Sequence, residues 1–241
     1  MKVVDPIPVE IDHEELIRSR EFRSLRSREK QIESLAEKGR NLIKPRAVFT
    51  FLKVNRIDGD LVQLEGDHVL RSLVLSDVLK CGQAVVPYVI TIGQELEKEA
   101  SRMSDRDVFG AWALGRIGDH ALEKASRHLR FLAAHELGDG LSSFAPGAGT
   151  GKLFSLEQQA VLFAILDPPR NIAVSLTPSY LMIPIKSVSG VFAKARQDHI
   201  ACQYCPRECE NRRKPFSGEY QSVECKGGDG GAAISSDHVT P

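Results

Sequence analysis

The sequence predicts an α+β fold. Three observations lead there: a hairpin with a glycine turn, strands separated by helices of uneven length, and no repeating strand–helix rhythm of the kind that builds a doubly wound sheet. The chain has 241 residues, 42% hydrophobic and 27% charged, enough to bury a core as one domain with appendages. Its 32 basic and 32 acidic side chains cancel, so no net field draws it to nucleic acid or to a membrane. No apolar run of about 18 residues occurs, and the opening Met1-Lys-Val-Val-Asp-Pro6 lacks the apolar stretch of a signal peptide. A cytoplasmic protein without nucleic-acid or membrane partners is expected.

Residues 1–45 form a polar lead-in. Arg18, Arg20, Arg23, Arg26, Arg28 and Lys30 outnumber Glu21 and Glu29, and Leu25, Leu35 and Leu42 give a thin apolar stripe. That pattern predicts one or two amphipathic surface helices, with the basic run as a solvated face rather than a dock for an acidic partner. A hairpin follows, in which 48–54 and 61–64 flank Asp58-Gly59, a dipeptide that accepts the positive φ of a tight turn. Residues 84–92 read as a strand ended by Gly93, with Pro87 indicating an edge or a bulge. Helices are expected over 94–103 and 105–134. Within the second, Gly110, Gly115 and Gly118 imply close approach by another element, Trp112 reads as core, and Asp119 and His120 diverge as neighbours on a helix must.

Ser155-Leu-Glu-Gln158 has the form of a capping box, opening a helix to Leu166 that Asp167-Pro-Pro169 stops. Strands are expected over 172–176 and 187–193, flanking a turn near Pro184. A main domain over 46–200, a cysteine cluster over 201–225 and a glycine-rich, disordered tail over 226–241 complete the division. The segment Pro146-Gly-Ala-Gly-Thr-Gly-Lys-Leu153 is not a phosphate-binding loop. Pro146 stands where its first glycine belongs, and Leu153 where the magnesium-binding hydroxyl belongs.

Cysteines cluster near the end. Cys202, Cys205 and Cys209 have C-x2-C-x3-C spacing, and Cys225 would add a fourth thiolate for a tetrahedral zinc or an iron–sulfur cluster. Free thiols and redox disulfides are the competing readings, while Cys81 reads as a small buried hydrophobe.

The segment Leu176-Thr-Pro-Ser-Tyr-Leu-Met-Ile-Pro-Ile-Lys-Ser-Val-Ser-Gly190, together with Ser143-Phe-Ala-Pro-Gly-Ala148, resembles the activation domain of vitamin B12-dependent methionine synthase. The likeness extends over about 44–195. It implies a bent, helmet-shaped antiparallel sheet with flanking helices, and a domain that binds S-adenosylmethionine and presents its methyl group to oxidised cobalamin on a partner. A flavodoxin-type or iron–sulfur donor would supply the electron. The resemblance places Glu123, Ala145 and Gly147 at ligand-contact positions. Ser143 and Ala148 replace the motif's arginine and tyrosine, which removes a carboxylate clamp, and Lys152 offers a substitute cation.

The implied function is that of a stand-alone activation-domain-like component of methionine synthase, or of its reactivation system, in methionine biosynthesis. Such a component would bind S-adenosylmethionine and serve a corrinoid-binding protein. The alternative is a non-enzymatic module that uses the cysteine cluster, with zinc or iron–sulfur, as an accessory or electron-delivery site.

Overall fold

The computed structural model describes residues 1–147 and 151–194, with Glu208 and Pro215 besides. The strands are β1 (Lys2–Val4), β2 (Arg46–Phe49), β3 (Leu52–Asp58), β4 (Leu61–Leu64), β5 (Val69–Arg71), β6 (Ala84–Thr91), β7 (Leu141–Phe144), β8 (Ser175–Leu176), β9 (Met182–Ile183) and β10 (Ser187–Lys194). The α-helices are α1 (His13–Arg18), α2 (Glu29–Leu42), α3 (Leu73–Val78), α4 (Glu95–Met103), α5 (Val108–Leu137), α6 (Gln159–Leu166) and α7 (Pro168–Ile172). The α+β expectation holds: β1–β7 and β10 make one eight-stranded sheet whose pairings are all antiparallel, and helices flank it.

β6 is the central strand. On one side it pairs with β10, which in turn pairs with β7. On the other it pairs with β2 and then, in unbroken register, with β3, from Arg46↔Thr91 to Lys53↔Ala84. The expected strand over 48–54 is thus interrupted at Thr50–Phe51, alongside Pro87. Pro87 lacks an N–H to donate, so the ladder loses a bond beside it and keeps the one from the Thr50 N–H to the Pro87 carbonyl at 3.2 Å. It is neither at an edge nor at a bulge, because β6 has neighbours on both sides. The interruption divides the outer partners, so that β1 joins β2 while β4 and β5 extend from β3.

Alternation along β6 and β10 sends side chains to two cores. Tyr88, Ile90 and Phe192 pack with Ala125, Leu129 and Ala133 of α5, whereas Val85, Val89 and Val191 face clusters that include residues of α3, α6 and α7. The lead-in contributes β1 to the sheet, and α2 buries Ile32, Leu35, Ala36 and Gly39. The close approach expected of the helix glycines holds at Gly110 and Gly118, where an added Cβ would meet Met103 at 2.5 Å and Leu96 at 3.0 Å, both on α4. It does not hold at Gly115, which has nothing within 4 Å.

Several local expectations are corrected. Ser155 caps no helix with its side chain; 156–158 is a 3-10 turn, and the Gln158 carboxamide instead accepts from the Arg71 N–H at 2.8 Å. Ile172 ends α7, so β8 is only two residues long. Trp112 is 41% exposed and lies edge-on to Phe22 at 5.5 Å, on the rim of the core rather than within it. Cys81 is only partly buried and is disulfide-bonded, with its partner outside the described residues.

Candidate functional site

The two motif segments lie side by side. β7 pairs with β10 through Phe192↔Ser143 and Val191↔Phe144, placing the edge strand that carries Ser143 against the strand that carries Ser187-Val-Ser-Gly190. Ser143 is exposed and directed to the α5 face, where its hydroxyl shares a 2.7 Å hydrogen bond with the hydroxyl of fully buried Tyr88. Tyr88 stacks on Phe192 at 4.0 Å. Burial pushes its phenol up to about 12; the Ser143 hydrogen bond and the positive charge of Arg130 act in the opposite sense.

Gly147 follows in a turn with φ +75°, a conformation that favours glycine. Its N–H donates to the Phe154 carbonyl at 2.8 Å, and a Cβ there would meet Leu156 at 2.9 Å. The amide therefore braces the turn. Ala145 is partly buried beside it. Ala148 and the four cysteines at 202, 205, 209 and 225 lie outside the described residues, as does the side chain of Lys152.

Glu123 is exposed on α5, 3.8 Å from Arg127. It also lines a cavity of about 90 Å³ between α1 and α5, with Ser19, Arg116, Asp119 and His120 among the other walls. Neither a hydrogen bond nor an ion pair joins Glu123 to 143–147. The divergence of Asp119 and His120 holds. Asp119 pairs with Arg116 at 2.9 Å and with Lys186, whereas the His120 Nε2 stands 3.4 Å from Glu15.

The Ile183-Pro184 peptide is cis, and the turn after it is clamped. The Glu97 carboxylate accepts from the N–H of Ile185 at 2.9 Å and of Lys186 at 3.4 Å. Chemically, the arrangement offers anchored strands, a carboxylate and nearby cations, all suited to binding and orienting a small charged ligand. Tyr88 and Arg130 were missed from the sequence, because only strand register brings Tyr88 beside Ser143 and only the rotation of α5 brings the Arg130 charge within reach of the Tyr88 phenol. Among the described residues, no group of three His, Cys, Asp or Glu side chains is arranged to hold a metal ion, and no helix is long and apolar enough to cross a membrane.

No family model matches the sequence, and no curated protein matches it. Among solved structures, the chain is similar to the MetH reactivation domain bound to AdoHcy, with a TM-score of 0.60 over 77% of this chain and 70% of that one, at 15% identity. With its antiparallel sheet, its flanking helices and its paired motif strands, the chain has the fold of the MetH reactivation domain.

Proposed function

We propose that the chain acts as an activation-domain-like component in cobalamin-dependent methyl transfer, binding S-adenosylmethionine so that a corrinoid protein or methionine synthase module can be reductively reactivated. The observation that carries this reading is the pairing of β7 with β10 in the fold of a domain solved with AdoHcy bound. The ligand would supply the methyl group, while the cobalamin and the electron donor, of flavodoxin or iron–sulfur type, belong to partners in the cytoplasm. The task of this chain's residues is positioning. Gly147 fixes the turn after β7, Gly190 lets β7 lie close to β10, and Glu123 presents a carboxylate to the cationic parts of the ligand. Calorimetric titration tests the reading: saturable heat with S-adenosylmethionine is expected, and no heat at millimolar ligand overturns it.

A further inference from the structure

The motif position that resembles a carboxylate-binding arginine is Ser143 here, so the amino-acid end of the proposed ligand needs its cation from elsewhere. We infer that Arg130, on α5, supplies it. This rests on the S-adenosylmethionine reading above and names the residue that reads the ligand's carboxylate.

The rotation of α5 places the side chain. Successive helical residues advance by about 100°. Leu129 points inward, packed in one cluster with Tyr88 and Phe192. Leu132 and Glu136 lean toward β1 and β2, since Leu132 packs in the cluster of Phe49 and Glu136 pairs with Lys2. Asp119 marks the opposite flank, where it pairs with Lys186 at the start of β10. Arg130 follows Asp119 by eleven residues and so returns to within about 20° of it around the axis. It therefore rises from the flank over β10 and β7, the side that Ser143 faces. Its charge reaches the Tyr88 phenol, whose hydroxyl is bonded to Ser143.

Arg130 is also available. It is exposed and makes no hydrogen bond or ion pair among the described residues, whereas Arg116, Lys124, Arg127 and Lys186 are each paired with a carboxylate. A guanidinium fork fits a carboxylate with two parallel hydrogen bonds. Glu123, seven residues earlier and on the same flank, can face the ammonium or sulfonium. Together they complement a zwitterion along one side of the helix.

The test is calorimetric titration of the full chain with S-adenosylmethionine and with its decarboxylated analogue. The wild-type chain is expected to prefer the carboxylate-bearing ligand at least tenfold. Arg130→Ala, a change at an exposed site, is expected to abolish that preference, binding both ligands alike, and Arg130→Lys to retain part of it. A preference undiminished in Arg130→Ala overturns this assignment while leaving the ligand reading intact. Wild-type chain that binds neither ligand overturns both.

Discussion

A Cβ on Gly190 would meet the Phe144 carbonyl oxygen at 2.6 Å and the Tyr88 hydroxyl at 2.8 Å. Glycine at this position lets β7 lie close and lets the tyrosine reach across to Ser143. Gly190→Ala should lower the unfolding free energy by about 2–3 kcal/mol, in the range of overpacked cores, as read by urea denaturation. Tyr88→Phe removes one of the two obstructing atoms, so the cost of Gly190→Ala should shrink in that background, a non-additivity that a double-mutant cycle detects. Tyr88 also gives the fold an alkaline limit. Folding holds its phenol protonated up to about 12, above the ordinary value of 10.0. Its contribution is thus complete below pH 10 and is lost as pH rises through about 12. That loss should be absent from Tyr88→Phe when the two stability profiles are compared between pH 9 and 12. The glycine was legible in the sequence as part of Ser-Val-Ser-Gly. Its reason was not, because it involves three strands distant in the chain.

Elements set by short-range backbone chemistry were the ones the sequence revealed well. Gly59 turns the β3–β4 hairpin at φ +57°, Gly93 ends β6 at φ +80°, and Asp167 closes α6 in the left-handed region before two prolines. Each of these signals acts within a few residues. The break between β2 and β3 depends on what lies across the ladder, and the half-exposed Trp112 on how α1 and its loop pack. Neither is local. The turn between β9 and β10 shows the same dependence, since its amides are held by Glu97 from α4. A hydrogen bond to a charged acceptor contributes about 1.5–3 kcal/mol. Glu97→Ala should therefore speed amide hydrogen exchange at Ile185 and Lys186 about tenfold or more, while β6 amides remain protected. Unchanged exchange at both amides would mean that the turn holds without Glu97.

At the scale of the molecule, the candidate site depends on α5 being held from both sides, by the sheet beneath and by the N-terminal segment above. That segment is fastened by Glu15, whose carboxylate lies 2.5 Å from Lys124 and 3.4 Å from His120 of α5, while the Lys124 ammonium also donates to the Glu10 carbonyl. The charge-dense lead-in was visible in the sequence, but not that one of its carboxylates docks it, because nothing local separates Glu15 from Glu14, which pairs with Arg18 one turn away. The hydrogen bond from Lys124 holds the Glu15 carboxyl below its ordinary value of 4.5, against some burial. A carboxyl with a depressed folded pKa contributes stability that is complete above its unfolded value and disappears as pH falls through the folded one. Glu15→Gln should consequently flatten the acid limb of the stability profile below about pH 4.5 and weaken α1 docking at neutral pH. Protease cleavage near Arg18–Arg28 would rise in that variant as the segment lifts. Because Glu123 and Ser19 line the same α1–α5 cavity, the loosened segment should also weaken the binding of S-adenosylmethionine proposed above, while leaving the proposed Arg130-dependent preference for its carboxylate in place. A loss of that preference in Glu15→Gln would instead mean that α1 and the β7 flank respond as one unit.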